Sequence, residues 1–169
     1  MPSFALDSDH IAIRDMARSF ADEKLAPHAL EWDEKKHFPV DVIREAAALG
    51  MAAIYVREDV GGSAMTRFDA ALIFEALSTG CPSIAAYVSI LNMCAWMIDQ
   101  FGSYAQRHEF LPRLASMERL ASYCLTEPGA GSDAAALRTR AVRDGNSYVI
   151  TKPFVMAALG NKVREMIGG

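Results

Sequence analysis

The chain has 169 residues, of which 51% are hydrophobic, and it carries a formal net charge of −4. This apolar content can build a packed core and excludes a disordered protein, while the scattered basic residues exclude the clustered basic surface of a nucleic-acid binder. The three cysteines and four histidines show no metal-ligand spacing, so we expect buried reduced thiols and no metal site.

The first part of the chain shows the apolar spacing of amphipathic helices. Either Asp7 or Ser8 is expected to be the N-cap of the first helix, and Pro27 is expected to interrupt that helix before it resumes. Pro39 and Gly50 mark the start and the stop of a second predicted helix. The pattern therefore predicts a helical N-terminal half.

Three more helices are predicted after a connector at residues 51–65, in which residues 53–56 are compatible with an extended segment. Thr66 is the expected cap of the first, which ends near residue 80, and the others cover residues 82–100 and 104–114. In total the sequence predicts five or six helices before residue 121, with basic pairs such as Arg107-His108 on solvated helix edges.

Two features argue against export and against a membrane span. Asp7 and Asp9 precede any apolar run, which excludes the pattern of a signal peptide. The apolar stretch Ser83 to Ile98 is shorter than the roughly 20 residues that a bilayer span needs, so it is predicted to be a core helix. We expect a cytoplasmic protein, or a mitochondrial matrix protein if the chain is eukaryotic.

After residue 121 the apolar period changes from 3.6 to 2, which indicates strands. Tyr123 to Thr126 is predicted as one strand and Leu137 to Arg143 as a half-exposed second strand. Asp144-Gly145-Asn146 predicts a hairpin turn that leads into a returning strand, Ser147 to Ile150.

The predicted fold class is therefore mainly α, with a helical domain at residues 1–120 followed by the first strands of a β domain at residues 121–150. Residues 151–169 form an atypical tail, in which local propensity favours a terminal helix.

The most informative motif is Tyr123-Cys-Leu-Thr-Glu-Pro-Gly-Ala-Gly-Ser-Asp133. Its glycines can adopt angles closed to other residues, and such a loop can turn amides and the hydroxyls of Thr126 and Ser132 toward a phosphate, a pyrophosphate or a polar heterocycle. Composition alone favours an ordinary Gly/Pro turn between two strands, because isolated Gly-rich loops are weak evidence for a binding site.

This run resembles the flavin-contacting signature of the acyl-CoA dehydrogenase family, without a gap. Flanking segments carry the same resemblance, and they are closest to the branch of that family that acts on isobutyryl-CoA. The segments are Glu31-Trp-Asp-Glu-Lys, Phe38-Pro-Val-Asp-Val, Asp59-Val-Gly-Gly-Ser63, Phe74-Glu-Ala-Leu and Asn92-Met-Cys-Ala-Trp-Met-Ile-Asp99. The likeness extends from about residue 6 to residue 150.

The resemblance implies an FAD-dependent oxidoreductase that oxidises the Cα–Cβ bond of a short branched acyl-CoA. It further implies that electrons pass to an electron-transfer flavoprotein and that the full-length enzyme is a homo-oligomer. The residues that it places at the cofactor are Tyr123, Leu125, Thr126, Gly131, Ser132 and Phe154. Those that it places at the acyl-CoA substrate are Ser132, Ala86, Ser89 and Met93, and bulky Tyr87 and Trp96 would shorten the pocket if they face inward.

The same resemblance places the catalytic carboxylate in a C-terminal domain, so we expect no catalytic residue here and no turnover by this chain alone. Glu127 has a structural role in this interpretation, and Asp133 is expected to brace the turn. Met156 stands where the family places a hydroxyl against the flavin ring, and it cannot donate a hydrogen bond. The alternatives are a non-catalytic helical module that binds a partner and an inert remnant of such an enzyme.

Overall fold

The computed structural model describes residues 5–152. The chain divides into two units, Met1–Tyr123 and Cys124–Gly169, and each is described by itself below. The predicted tail helix, Phe154 and Met156 lie outside the described residues, and the predicted domain limits stay predictions.

The first unit is helical, as the apolar spacing predicts. Its α-helices are α1 (Ser8–Phe20), α2 (Ala29–Lys35), α3 (Val40–Ala48), α4 (Arg67–Gly80), α5 (Pro82–Phe101) and α6 (Tyr104–Ala115). α1 packs along α4, and α5 packs against both α4 and α6. Their buried apolar side chains form one core, whose largest fully buried members include Leu25, Ile43, Ile73, Leu77, Leu91 and Leu111.

The helix starts follow from local caps. The Asp7 carboxylate accepts hydrogen bonds from the amides of Asp9 (3.1 Å) and His10 (2.9 Å), so Asp7 rather than Ser8 is the N-cap of α1. Thr66 and Ser103 both form complete capping boxes, at the starts of α4 and α6.

Pro27 interrupts the first helix as predicted. α1 continues through a π-helical turn at Ala21–Leu25. The helix is then interrupted by a turn at residues 26–28 before α2 begins. Proline has no amide proton to extend the hydrogen-bond ladder, which explains the break.

α5 has a buried face, which includes Ile84, Val88, Leu91 and Ala95. By length and composition alone it is also the one helix within residues 5–152 that could cross a membrane. Buried helices of globular domains can have the same length and composition, and the contacts with α4 and α6 are those of a core helix.

The connector between α3 and α4 is held by a side chain from α5. Fully buried Asn92 accepts from the Ile54 amide at 2.7 Å and donates to the Met51 carbonyl at 2.8 Å. Residues 53–56 form turns, so the extended segment is not formed there. Their backbone groups bond to residues 63–65 and to Asn92 rather than to a neighbouring strand.

Two glycines allow close approaches in this unit. A Cβ on Gly80 would lie 2.6 Å from the carbonyl oxygen of Ala21, at the contact between the end of α4 and the segment that follows α1. A Cβ on Gly62 would lie 2.0 Å from the carbonyl oxygen of Val56 in the connector. Any side chain at either position would force the backbone apart.

A charge network centred on buried Asp99 and Arg107 joins α5, α6 and the connector. Asp99 accepts from Arg107 Nε at 2.8 Å and from Arg57 Nε at 3.0 Å. Arg107 also contacts Asp59 at 2.7 Å. Arg107 is therefore buried and paired, so its predicted place on a solvated helix edge is wrong. Its partners lie eight and 48 residues away, where no local pattern reveals them.

The second unit contains a β-hairpin of β1 (Arg140–Asp144) and β2 (Ser147–Thr151). Gly145 in the turn has a φ of +58°, so the predicted hairpin turn is confirmed. β1 begins at residue 140 rather than 137, and every residue of both strands is exposed, so the predicted half-exposed pattern is wrong.

The predicted strand from Tyr123 to Thr126 is also not formed. Within the described residues these four positions pair with no neighbouring strand. Their alternating sequence is typical of a strand, but a strand exists only where a second one supplies the ladder of hydrogen bonds.

Candidate functional site in the Tyr123–Asp133 loop

The loop begins with a tight two-residue turn. Glu127 and Ala130 exchange backbone hydrogen bonds of 2.9 and 3.1 Å, with Pro128 and Gly129 between them. Neither Gly129 nor Gly131 has a φ in the left-handed region, and a Cβ on either would meet nothing within 4 Å. The unusual backbone angles that glycine permits are therefore not used at these two positions, and nothing in the described residues requires a glycine at either place.

Glu127 closes the loop from inside. Its side chain is buried, with 5% exposure, and its two carboxylate oxygens accept from the amides of Arg138 and Thr139, each at 2.8 Å. The Thr139 hydroxyl donates to the same carboxylate. Both oxygens are thus occupied by neighbours from the same unit, which is the structural role expected for Glu127 and not the geometry of a general base.

The hydrogen bonds explain the titration of this carboxyl group. The Thr139 hydroxyl is the largest cause that lowers the pKa of Glu127 below its ordinary value of 4.5, and the amides of Arg138 and Thr139 and the charge of Lys152 lower it further. Burial opposes these effects without reversing them. Glu127 is therefore an anion at neutral pH.

In contrast to the buried Glu127 carboxylate, the polar groups at the tip of the loop are exposed to solvent. Thr126, Gly131 and Ser132 are exposed. Among residues 5–152, no partner bonds the hydroxyls of Thr126 and Ser132 or the amides of Gly131 and Ser132. The Asp133 carboxylate is likewise exposed and unbonded in that range, so the brace expected from Asp133 is supplied by Glu127 instead.

The segment before the turn alternates in burial although it is not a strand. Tyr123 and Leu125 are half-buried, whereas Cys124 and Thr126 are exposed. The Lys152 ammonium donates to the Cys124 carbonyl oxygen and so ties the end of the hairpin to this segment. Tyr123 closes the first unit and Leu125 belongs to the second.

The residues expected at the acyl chain share the outward face of α5. Ala86, Ser89 and Met93 are spaced i, i+3 and i+7, on the side opposite the buried residues of this helix. The Ser89 hydroxyl donates to the Ala86 carbonyl at 2.8 Å, and Met93 is 41% exposed. This face belongs to the first unit, and its predicted role stays a prediction.

The two bulky aromatic residues of α5 are engaged within the first unit. The Tyr87 hydroxyl donates to the Ala121 carbonyl at 3.3 Å, and its ring meets Phe38 edge-on. The Arg67 guanidinium lies 5.0 Å from the ring centroid of Trp96. That these rings shorten an acyl pocket remains a hypothesis.

Sequence reasoning missed the groups that shape the loop. Arg138 and Thr139 supply the donors that hold Glu127, and Lys152 holds Cys124. These partners lie 11, 12 and 28 residues apart in the chain. No spacing rule for helices or strands joins such positions, so only the folded unit identifies them.

The helical part of the chain matches a known family. Residues 7–118 match the model of the acyl-CoA dehydrogenase N-terminal domain. Over 156 residues the chain is 52% identical to the mitochondrial isobutyryl-CoA dehydrogenase of Bos taurus and 53% identical to that of Dictyostelium discoideum. Each match covers 91% of this chain and 38% of the relative.

A solved structure agrees with these matches. The glutaryl-CoA dehydrogenase of Mycobacterium smegmatis in complex with FADH2 superposes with a TM-score of 0.81 at 30% identity, over 87% of this chain and 38% of that one. The chain thus spans well under half the length of these three proteins. The helical architecture, the gap-free loop motif and these similarities lead to one conclusion: the chain belongs to the acyl-CoA dehydrogenase family.

Proposed function

We propose that the chain supplies the helical domain and the cofactor-contacting loop of an FAD-dependent acyl-CoA dehydrogenase. Its proposed substrate is a short branched acyl-CoA similar to isobutyryl-CoA, oxidised at the Cα–Cβ bond. The observation that carries the proposal is the outward tip of the loop, where Thr126 and Ser132 expose hydroxyls that no described residue bonds. The identity of 52% and 53% to two isobutyryl-CoA dehydrogenases supports the substrate class.

The residues of the loop fit a flavin. The Thr126 hydroxyl and the amides of Gly131 and Ser132 can donate to the polar edge of the ring system, since their own unit leaves them unbonded. Without a Cβ, Gly129 and Gly131 let a planar group approach the backbone closely. When bound, the flavin supplies the hydride-acceptor chemistry.

The remaining expected contacts complete this proposal. Tyr123 and Leu125 approach the ring mainly through their backbone, and Ser132 touches both cofactor and substrate. Phe154, outside the described residues, is also assigned to the cofactor. The outward face of α5, with Ala86, Ser89 and Met93, orients the acyl chain.

We also propose that these 169 residues do not turn over substrate alone. Abstraction of the α-proton needs a free carboxylate close to the substrate, and both oxygens of Glu127 are already occupied. The base is assigned to sequence beyond the 38% of the relatives that this chain spans. For the whole protein we propose an electron-transfer flavoprotein as electron acceptor, a homo-oligomer, and a mitochondrial matrix location if the chain is eukaryotic.

A chimera with the bovine relative tests the function. Residues up to 152 of this chain replace the matching segment of that enzyme, and the purified product is assayed with isobutyryl-CoA and an artificial electron acceptor. We expect the chimera to show a flavin absorbance band and to oxidise isobutyryl-CoA. We expect no turnover by the isolated chain. A folded, flavin-loaded chimera that does not oxidise isobutyryl-CoA would contradict the proposed substrate class.

Two substitutions in the chimera test the loop, with a matched control. Thr126→Val and Ser132→Ala each remove one exposed hydroxyl, and we expect faster loss of FAD on dilution. Ser147→Ala removes an exposed hydroxyl from β2 and is expected to retain FAD like the unsubstituted chimera. Equal retention of FAD by all variants would show that the loop hydroxyls do not contact the cofactor.

The second candidate function is a non-catalytic module that binds a partner protein. It is favoured by the large apolar side chains that the first unit leaves exposed, such as Met93, Phe101 and Tyr104. A visible spectrum of the purified chain separates the two functions, because a flavin band supports the first and a colourless oligomer supports the second.

A further inference from the structure

Within the second unit, one buried carboxylate closes the loop that carries the proposed cofactor contacts. The Glu127 side chain reaches back to Arg138 and Thr139, 11 and 12 residues further along the chain. Between these ends lie the Pro128-Gly129 turn, Gly131 and Ser132. Residues 137–139 belong to no helix or strand, so the amides of Arg138 and Thr139 have no partner in regular secondary structure.

The chemistry of this contact requires an anionic acceptor. Three donors converge on Glu127: two amides and the Thr139 hydroxyl. A carboxylate can accept all three, because both of its oxygens are acceptors only, whereas an amide side chain would turn an N–H toward one of the donors. Hydrogen bonds to a charged acceptor are about twice as strong as neutral ones.

We propose that Glu127 is a positioning residue, which holds the loop of residues 128–137 in the shape that presents Gly131 and Ser132 outward. Glu127 acts on the cofactor site only through the loop and takes no part in proton transfer. The benefit to a flavin rests on the proposed function, whereas the closure of the loop does not. Among the described residues, the ammonium of Lys152, which bonds the Cys124 carbonyl, is close enough for its charge to lower the pKa of this carboxyl group.

The test measures the two amides directly in the full 169-residue chain. Amide hydrogen exchange by NMR is recorded for Arg138 and Thr139 in the unsubstituted chain, in Glu127→Gln and in Glu118→Gln. We expect protection of both amides in the unsubstituted chain and a loss of roughly ten- to hundredfold in Glu127→Gln. Glu118→Gln alters an exposed carboxylate of the first unit and is expected to change nothing at these amides.

A pH titration distinguishes positioning from general stability. The two amide protons are expected to resonate downfield at neutral pH and to move upfield as Glu127 takes up a proton, and Glu127→Gln should abolish this titration. Thr139→Val, which removes only the hydroxyl, is expected to raise the midpoint while keeping the titration. Unprotected amides in the unsubstituted chain, or unchanged protection in Glu127→Gln, would overturn the proposal.

FAD added to the same samples separates this proposal from the proposed function. FAD affinity is measured by the quenching of FAD fluorescence. Binding by the unsubstituted chain, with an affinity at least about tenfold lower in Glu127→Gln, supports both the positioning role and the proposed function. Equal quenching after the amides have lost protection overturns the positioning role and leaves the flavoprotein proposal in place. Intact, Glu127-dependent protection without FAD binding supports the loop closure and counts only against cofactor binding by this chain.

Discussion

Asn92 connects α5 to the connector, and its replacement by leucine should destabilise the first unit strongly. The side chain has 0% exposure and makes three hydrogen bonds, to the Ile54 amide (2.7 Å) and to the carbonyls of Met51 (2.8 Å) and Val88 (2.9 Å). Leucine has a similar volume but offers no donor and no acceptor.

The expected loss follows from the groups that become unbonded. Val88 lies inside α5, where its carbonyl keeps a helical partner, but the buried amide of Ile54 and carbonyl of Met51 lose the only partners that the described residues give them. Each buried unbonded group costs about 1–3 kcal/mol, so Asn92→Leu should lower the free energy of unfolding by roughly 2–6 kcal/mol. That is a large part of the roughly 5–15 kcal/mol typical of a domain.

Urea unfolding followed by tryptophan fluorescence measures this loss, because Trp32 and Trp96 both lie in the first unit. The midpoint should fall while the m-value stays constant. Ser83→Ala, an exposed position on the same helix, should leave the midpoint unchanged. A loss below about 1 kcal/mol for Asn92→Leu would refute the reasoning, because Met51 and Ile54 would then have other partners.

Gly62→Ala should lower the free energy of unfolding by roughly 1–3 kcal/mol through steric overlap with the connector, and a urea midpoint equal to that of the unsubstituted chain would contradict this. Thr66→Ala should lower the free energy of unfolding by about 0.5–2 kcal/mol, because it removes the capping box of α4. An unchanged urea midpoint would argue against the cap. The contribution of Glu127 is present above its ordinary pKa of 4.5 and is lost as pH falls through its lowered folded pKa, so shifts of the Arg138 and Thr139 amides that stay constant from pH 7 down to acid unfolding would contradict it. Met93→Ala in the chimera should shift acyl-chain preference toward longer substrates, and unchanged relative kcat/KM values would remove Met93 from the pocket.

The helices were predictable because their signals are local. Asp7 and Thr66 each bond an amide two or three residues away, and Pro27 breaks the ladder by its own chemistry. The hairpin turn was predictable for the same reason, since Gly145 alone supplies the positive φ. Interactions within four residues need no knowledge of the rest of the fold.

The strand at Tyr123–Thr126 and the half-exposed face of β1 were not predictable in this way. Alternation states which side chains share a face, but a partner strand and a covering layer decide whether that face is paired and buried. Whether the glycines at positions 129 and 131 use unusual backbone angles was likewise not predictable, because the backbone angle and the surrounding space are properties of the folded loop.

By itself, the sequence determined the order of the helices, the cap at Thr66 and the family to which the loop motif belongs. The tertiary structure alone decided that Asn92 would hold the connector, that Arg107 would be buried against Asp99, and that Glu127 would face inward while Ser132 faces outward. The physical reason is separation along the chain: each of these contacts but one joins residues more than ten positions apart, and the exception, Arg107 with Asp99, spans the break between two helices.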